Sequence, residues 1–158
     1  MRLILDVMCG GLDSYLRMCN HDTVYAGDRG LEADDDLLAV ARDERRTIVT
    51  RDVDLASRAD EPILLESRDV EAQLAALDAA GVDLTLAAEP EFCGRCNGPL
   101  GAVDPTESTP DYAPDPAAVE TWRCRDCGQY FWRGSHWERV EKTLSRIRTR
   151  GGESTDES

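Results

Sequence analysis

Cys93-Gly94-Arg95-Cys96 and Cys124-Arg125-Asp126-Cys127 are two Cys-x-x-Cys pairs, and together they make the donor set of a closed tetrahedral metal site. Four thiolates leave no position for water, so an ion held there contributes folding energy rather than catalysis, and zinc is the expected ion. A redox dithiol is the other use to which either pair could be put. A second group is acidic. The β-branched run Thr47–Thr50 leads into Arg51-Asp52-Val53-Asp54, and Leu3-Ile4-Leu5 leads into Asp6. In open parallel sheets, ligands sit beyond the carboxyl ends of the strands, so residues just past such runs are well placed for chemistry. If the two strands are neighbours, Asp6, Asp52 and Asp54 meet on one edge. Carboxylates that close repel one another unless a hard cation joins them, and Mg²⁺ or Mn²⁺ suits an oxygen-only site. The plainer reading is that Asp52 caps a turn and Asp54 opens a short helix.

Periodicity indicates the elements that must hold these residues. After a tight connection at Met8-Cys9-Gly10-Gly11, Leu12, Tyr15, Leu16 and Cys19 recur at helical spacing to about Asn20. Thr23–Ala26 reads as a second strand. Asp34-Asp35-Asp36 precede Leu37, Leu38, Val40 and Ala41, which puts the acids at the N-cap and first turn of a helix ending near Arg45-Arg46. The helix dipole alone would account for carboxylates there. Leu55–Arg58 is a short helix, Ile63–Leu65 a fourth strand, and Asp69 caps a helix bearing Val70, Leu74 and Leu77 that stops at Gly81. Strands alternating with helices imply a mostly parallel sheet flanked by helices over residues 1–90. The cysteine module then spans 91–150. The 27 residues between its pairs exceed the usual ribbon interval, and the Pro-, Asp- and Ser-rich stretch 101–118 is expected to be a disordered loop. An acidic disordered tail is expected over 151–158. His21, Cys9 and Cys19 are expected to pack or to sit in turns.

Six cysteines, four of them paired in this way, argue against a disulfide framework and for a reducing compartment. The first apolar run stops at Asp6 with no basic region or cleavage site, and no run is long enough to span a membrane, so a soluble, cytoplasmic protein is expected. The net charge of -14 looks wrong for a nucleic-acid binder, but its distribution is uneven. Residues 1–92 hold 9 basic and 21 acidic side chains, whereas residues 122–150 hold 8 basic and 3 acidic. Lys142 is the single lysine among 18 basic residues, and such lysine depletion on an acidic surface resembles halophilic proteins, in which salt screens self-repulsion.

The basic region is also aromatic. Tyr130-Phe131-Trp132-Arg133-Gly134-Ser135-His136-Trp137 is followed by Val140, Leu144 and Ile147, the apolar stripe of a helix whose other face carries Arg139, Lys142, Arg146, Arg148 and Arg150. Aromatics beside arginine suit stacking on unpaired bases and gripping of phosphates. Arg133, His136, Arg139, Lys142 and Arg146, with Arg51 beside the acids, are the candidate RNA contacts. Alternatively the aromatics cover the ribbon and dock it on the first domain.

The opening Leu-Asp-x-Met-x-Gly-x-Leu, the Asp34-x-x-Leu-Leu-x-x-Ala helix, Thr50-Arg51-Asp52, the two Cys-x-x-Cys pairs and Trp132-x-Gly134-Ser135-His136-Trp137 resemble the Mut-seven C-terminal RNase domain family over roughly residues 2–148. The resemblance implies a PIN-like nuclease fold joined to a C-terminal Cys₄ zinc ribbon. It also implies a metal-dependent ribonuclease whose acids are Asp6, Asp34 and Asp52, with Asp54 matching less closely. The chain departs from the family pattern where a Lys commonly follows the early Gly11, and where Asp13 stands for a small residue. The loss of that Lys removes a phosphate contact and favours a rival reading, a non-catalytic RNA-binding or ribosome-associated adaptor. Another acidic-site enzyme on a similar sheet, a phosphatase or a Toprim-like nuclease, is a third reading. The absence of Asp-x-Asp-x-Thr/Val after the first strand counts against a haloacid-dehalogenase-type phosphatase.

Overall fold

The computed structural model describes the backbone of residues 1–156 and the side chains of residues 1–149. Four short strands, β1 (Arg2–Leu5), β2 (Asp22–Tyr25), β3 (Thr47–Thr50) and β4 (Ile63–Leu64), form an all-parallel sheet in the order β2-β1-β3-β4. Their apolar, β-branched composition suits a sheet buried on both faces. On one face Leu3, Leu5 and Val49 pack against Leu12, against Leu16 of α1 (Asp13–Met18) and against Leu74 and Leu77 of α4 (Val70–Ala79). The other face places Ile4, Val24 and Ile48 against Leu37, Leu38 and Ala41 of α2 (Asp34–Asp43) and Leu55 of α3 (Val53–Arg58). The chain leaves β1 toward β2 on one side and later crosses back to β3 on the other, so the order reverses between β1 and β3. In a doubly wound sheet, that reversal opens the crevice where ligands bind.

The second sheet is antiparallel, with β5 (Leu100–Ala102), β6 (Thr121–Cys124) and β7 (Tyr130–Trp132) in that order, and it carries both cysteine knuckles. The final helix, α5 (Ser135–Asp156), returns to the first domain. Val140, Leu144 and Ile147 are buried in the core that also contains Leu74 and Leu77, at about 1.5–3 kcal/mol for each side chain. A boundary near residue 90 therefore separates the sheets but not the cores.

Several polar groups fasten the ribbon. Arg17, 1 % exposed, donates to the carbonyls of Thr23 at 2.9 Å and Gly94 at 3.1 Å. Asn97, whose φ of 69° is one that Asn tolerates, accepts from Thr23 N at 3.0 Å and donates to Asp22 at 2.7 Å. It thereby covers the open edge of β2.

Local differences from the expectations have identifiable causes. The Met8–Gly11 connection lies within a 3₁₀ run, Val7–Leu12, opened by the Asp6 carboxylate accepting from Val7 N. Ala33 rather than an acid is the N-cap of α2, and Asp34, Asp35 and Asp36 all lie in its first turn. The stretch 101–118, expected to be disordered, contains part of β5 and a series of turns. It returns Tyr112 to Tyr130, whose N–H donates to the Tyr112 hydroxyl at 3.2 Å. α5 continues through residues 151–156, where a structureless tail was expected, because extending an existing helix needs no new nucleus. Residues 157–158 of that tail lie outside the described residues. No described helix is long and apolar enough to cross a membrane.

Candidate active site and metal centre

Asp6 immediately follows β1, and Thr50 ends β3, so the two sit side by side at the strand reversal. The Thr50 hydroxyl donates to Asp6 Oδ2 at 2.7 Å and accepts from Asp52 N at 3.0 Å. The other Asp6 oxygen accepts from Val7 N at 2.8 Å. Asp6 is 8 % exposed, and its position is thus set by one hydroxyl and one amide. Asp52 is the N-cap of α3, with Oδ1 accepting from Asp54 N at 2.9 Å and Leu55 N at 3.3 Å. The plainer role foreseen for Asp52, capping, is therefore present, and it occupies only one of the two carboxylate oxygens. Asp54 is exposed in the first turn of α3.

Asp34 also starts a helix that follows a strand of the sheet, so the topology brings it to the same edge. Its neighbour Asp35 pairs with Arg58 at the end of α3, and both acids raise the Arg58 pKa, chiefly through that hydrogen bond. Among the described residues, only the four cysteines bring three or more candidate ligand atoms close enough to hold one ion; Asp6, Asp34 and Asp52 are not gathered into such a set. Asp6 and Asp52 share Thr50, whereas the first turn of α2 is turned toward Arg58.

Sequence reasoning missed Thr50, whose role depends on a register that brings β1 beside β3. It also missed Tyr25 at the end of β2. The Tyr25 hydroxyl donates to Val7 O at 2.8 Å, and burial followed by the charges of Asp28, Asp13, Cys9 and Asp6 raises its pKa. Cys9 is buried beside Asp6, and desolvation pushes its thiol up to about 11; Cys19, also buried, is pushed up to about 12. Neither is a thiolate nucleophile at neutral pH. Arg51, half-buried on the same edge, points a terminal nitrogen at Met8 Sδ, 3.7 Å away, and its Nε is buried without a hydrogen-bond partner.

The cysteine module meets the geometry its sequence implies. The four Sγ atoms lie within 4.8 Å of one another, with Cys93–Cys127 at 3.7 Å and Cys96–Cys124 at 3.5 Å. A tetrahedral ion with metal–sulfur bonds of about 2.3 Å holds its sulfurs about 3.8 Å apart, whereas a disulfide needs about 2 Å. The four cysteines could therefore hold a structural metal such as zinc. Burial raises the Cys93 and Cys96 thiols. At Cys124 burial acts the same way, but hydrogen bonds from the Cys127 and Asp126 backbone and the neighbouring thiols outweigh it and bring the thiol to about 7.

The remaining candidate RNA contacts are divided. His136, Arg139 and Lys142 are exposed. Arg146 pairs with Glu71 of α4, and Arg133 donates to Ala88 O while lying over the Trp122 ring at 5.4 Å. Those two cations therefore brace the fold as well as facing solvent.

The sequence matches one family model, described as Mut7-C RNAse domain, over residues 1–144. No curated protein and no solved structure matches the chain.

Proposed function

The chain belongs to the Mut7-C RNAse domain family, and from that membership we propose that it is a metal-dependent ribonuclease working at the edge formed by Asp6, Thr50 and Asp52. The observation that carries this reading is the Thr50 hydroxyl, which ties the Asp6 carboxylate to the Asp52 amide at the point where the strand order reverses. Asp6 keeps lone pairs on both oxygens, and Asp52 keeps Oδ2 outside the helix cap. Two such carboxylates, completed by water, fit a Mg²⁺ or Mn²⁺ ion, which is commonly held by one or two acids. Bound there, the ion would supply Lewis-acid charge that activates water and offsets charge developing on the scissile phosphate.

The chain's own contributions follow from its side chains. Thr50 and Val7 N fix the Asp6 oxygens before substrate arrives, so no reorganisation is needed at the moment of reaction. Arg51 extends its guanidinium toward the exposed Met8, and its terminal nitrogens there suit a phosphate oxygen. Asp34 and Asp54 are assigned supporting roles at the rim. RNA is the substrate, and the exposed cations of α5, His136, Arg139 and Lys142, are proposed to hold it. Zinc at Cys93, Cys96, Cys124 and Cys127 would keep the ribbon folded.

The test is to incubate zinc-loaded protein, depleted of other divalent ions, with a mixed pool of single-stranded and structured RNAs, with and without added Mn²⁺ or Mg²⁺. Cleavage that requires the added ion supports the reading. Tight binding without cleavage under every ion favours the second reading, the RNA-binding adaptor, for which the specific observation is that Asp6, Asp34 and Asp52 do not form a three-ligand cluster.

A further inference from the structure

A cleft of about 390 Å³ lies between α1 and the ribbon, away from the acidic edge. Its walls are chiefly aromatic: Trp122, Phe131 and Trp132 come from the ribbon strands, Phe92 from the first knuckle and Trp137 from the start of α5. Ser14 and Met18 of α1 close the other side, and Arg95 and His136 supply the basic groups. No carboxylate lines it, in a chain where 32 of 158 residues are acidic. Its size falls in the range of about 300–1,000 Å³ seen for small-ligand pockets, and an apolar wall with a few polar groups is their usual composition.

An aliphatic ligand would need neither flat walls nor exclusion of acids, and a proline-rich peptide, which also docks on aromatic walls, carries no anion that would require the acids to be absent. A planar ring attached to an anion needs both, because the ring stacks on aromatic faces while the anion repels carboxylates and attracts Arg95 and His136. We propose that the cleft seats one unpaired nucleobase of an RNA strand, its ring on the aromatic walls and its phosphate at the rim beside Arg95 and His136. This subsite rests on the ribonuclease reading above and names the form of substrate that reading leaves open, a single-stranded segment. Ser14, which lines the cleft, lies in the first turn of α1, and its neighbour Asp13 acts with Asp6 on the Tyr25 hydroxyl.

All three tryptophans of the chain line this cleft, so intrinsic tryptophan fluorescence reports on it alone. Titration of the full-length, zinc-loaded protein with adenosine or uridine monophosphate should quench that fluorescence saturably, whereas ribose 5-phosphate, which lacks the base, should not. Trp137→Leu and, separately, His136→Ala should each weaken binding of a short single-stranded RNA, Trp137→Leu by about tenfold as expected for loss of one stacked base. Zinc content and melting temperature serve as controls for folding. If RNA binds and is cleaved but nucleotides leave the fluorescence unchanged and both variants bind as wild type does, the subsite is overturned and the ribonuclease reading stands. Quenching by ribose 5-phosphate equal to that by nucleotides also overturns it, since the base would then play no part. Saturable quenching by nucleotides, in a protein that cleaves no RNA, retains the subsite and overturns the ribonuclease reading.

Discussion

Thr50 is fully buried, and its hydroxyl is committed in both directions, as donor to Asp6 and acceptor from Asp52 N. Thr50→Val keeps the shape and removes both bonds, leaving a buried carboxylate oxygen and an amide short of a partner. The expected cost is about 1–3 kcal/mol in a urea titration. Turnover should fall more than RNA affinity, because Asp6 loses its orientation while the basic surface is untouched. Equal losses in both would remove Thr50 from the account. At the metal centre, the expectation is one zinc per chain by elemental analysis, lost in Cys124→Ser together with several kcal/mol of ribbon stability. A folded ribbon with no zinc would contradict it. The cysteines and Asp6 were legible because their spacing or their place after a strand marks them. Thr50, Arg17 and Asn97 were not, since each has a partner distant in sequence, 44, 77 and 74 residues away respectively, and no local pattern records such pairings.

Strands and helices of the first domain followed closely from periodicity, because short β-branched runs and i, i+3, i+4 stripes have few other readings. The destination of α5 did not follow. Its apolar stripe of Val140, Leu144 and Ile147 was visible, but a stripe does not say which core it enters, and it enters that of the parallel sheet. Leu144→Ala should therefore cost about 2–5 kcal/mol and lower a single cooperative transition that includes α4 and the sheet. Loss of the ribbon alone, with the sheet melting unchanged, would make α5 an appendage. The junction between ribbon and β2 also predicts a pH dependence. Burial raises the Asp22 carboxyl, but hydrogen bonds from Asn97 and Arg46 and the charges of Arg46 and Arg2 outweigh it and hold it below its usual 3.8. A depressed folded pKa gives stability that is present above the unfolded value and lost as pH falls through the folded one. The difference in melting temperature between wild type and Asp22→Asn should accordingly be largest near neutrality and shrink as pH falls below about 4. A difference that is constant with pH would mean that Asp22 acts through shape alone.

Taken whole, the molecule carries a net charge of -14, with 21 acidic against 9 basic side chains in the first 92 residues and 8 basic against 3 acidic over residues 122–150. Carboxylate repulsion is unscreened in dilute buffer, so the halophilic reading predicts that the melting temperature rises as KCl increases toward molar concentration. A steady fall would remove that reading. The same polarity places a basic, aromatic surface on the ribbon and α5 and an acidic edge on the sheet, and in the proposed reading the first grips RNA and the second cuts it. The measurement that tests this most directly is the rate of Mn²⁺-dependent cleavage of a single-stranded RNA by wild type, Asp6→Asn, Asp52→Asn and Asp34→Asn, with RNA affinity determined on the same samples. The account predicts losses of about 100-fold or more for Asp6→Asn, a comparable loss for Asp52→Asn, a clearly smaller one for Asp34→Asn, and affinity nearly unchanged in all three. Cleavage that survives Asp6→Asn undiminished, or that falls as far in Asp34→Asn as in Asp6→Asn, would contradict an active edge built on Asp6, Thr50 and Asp52.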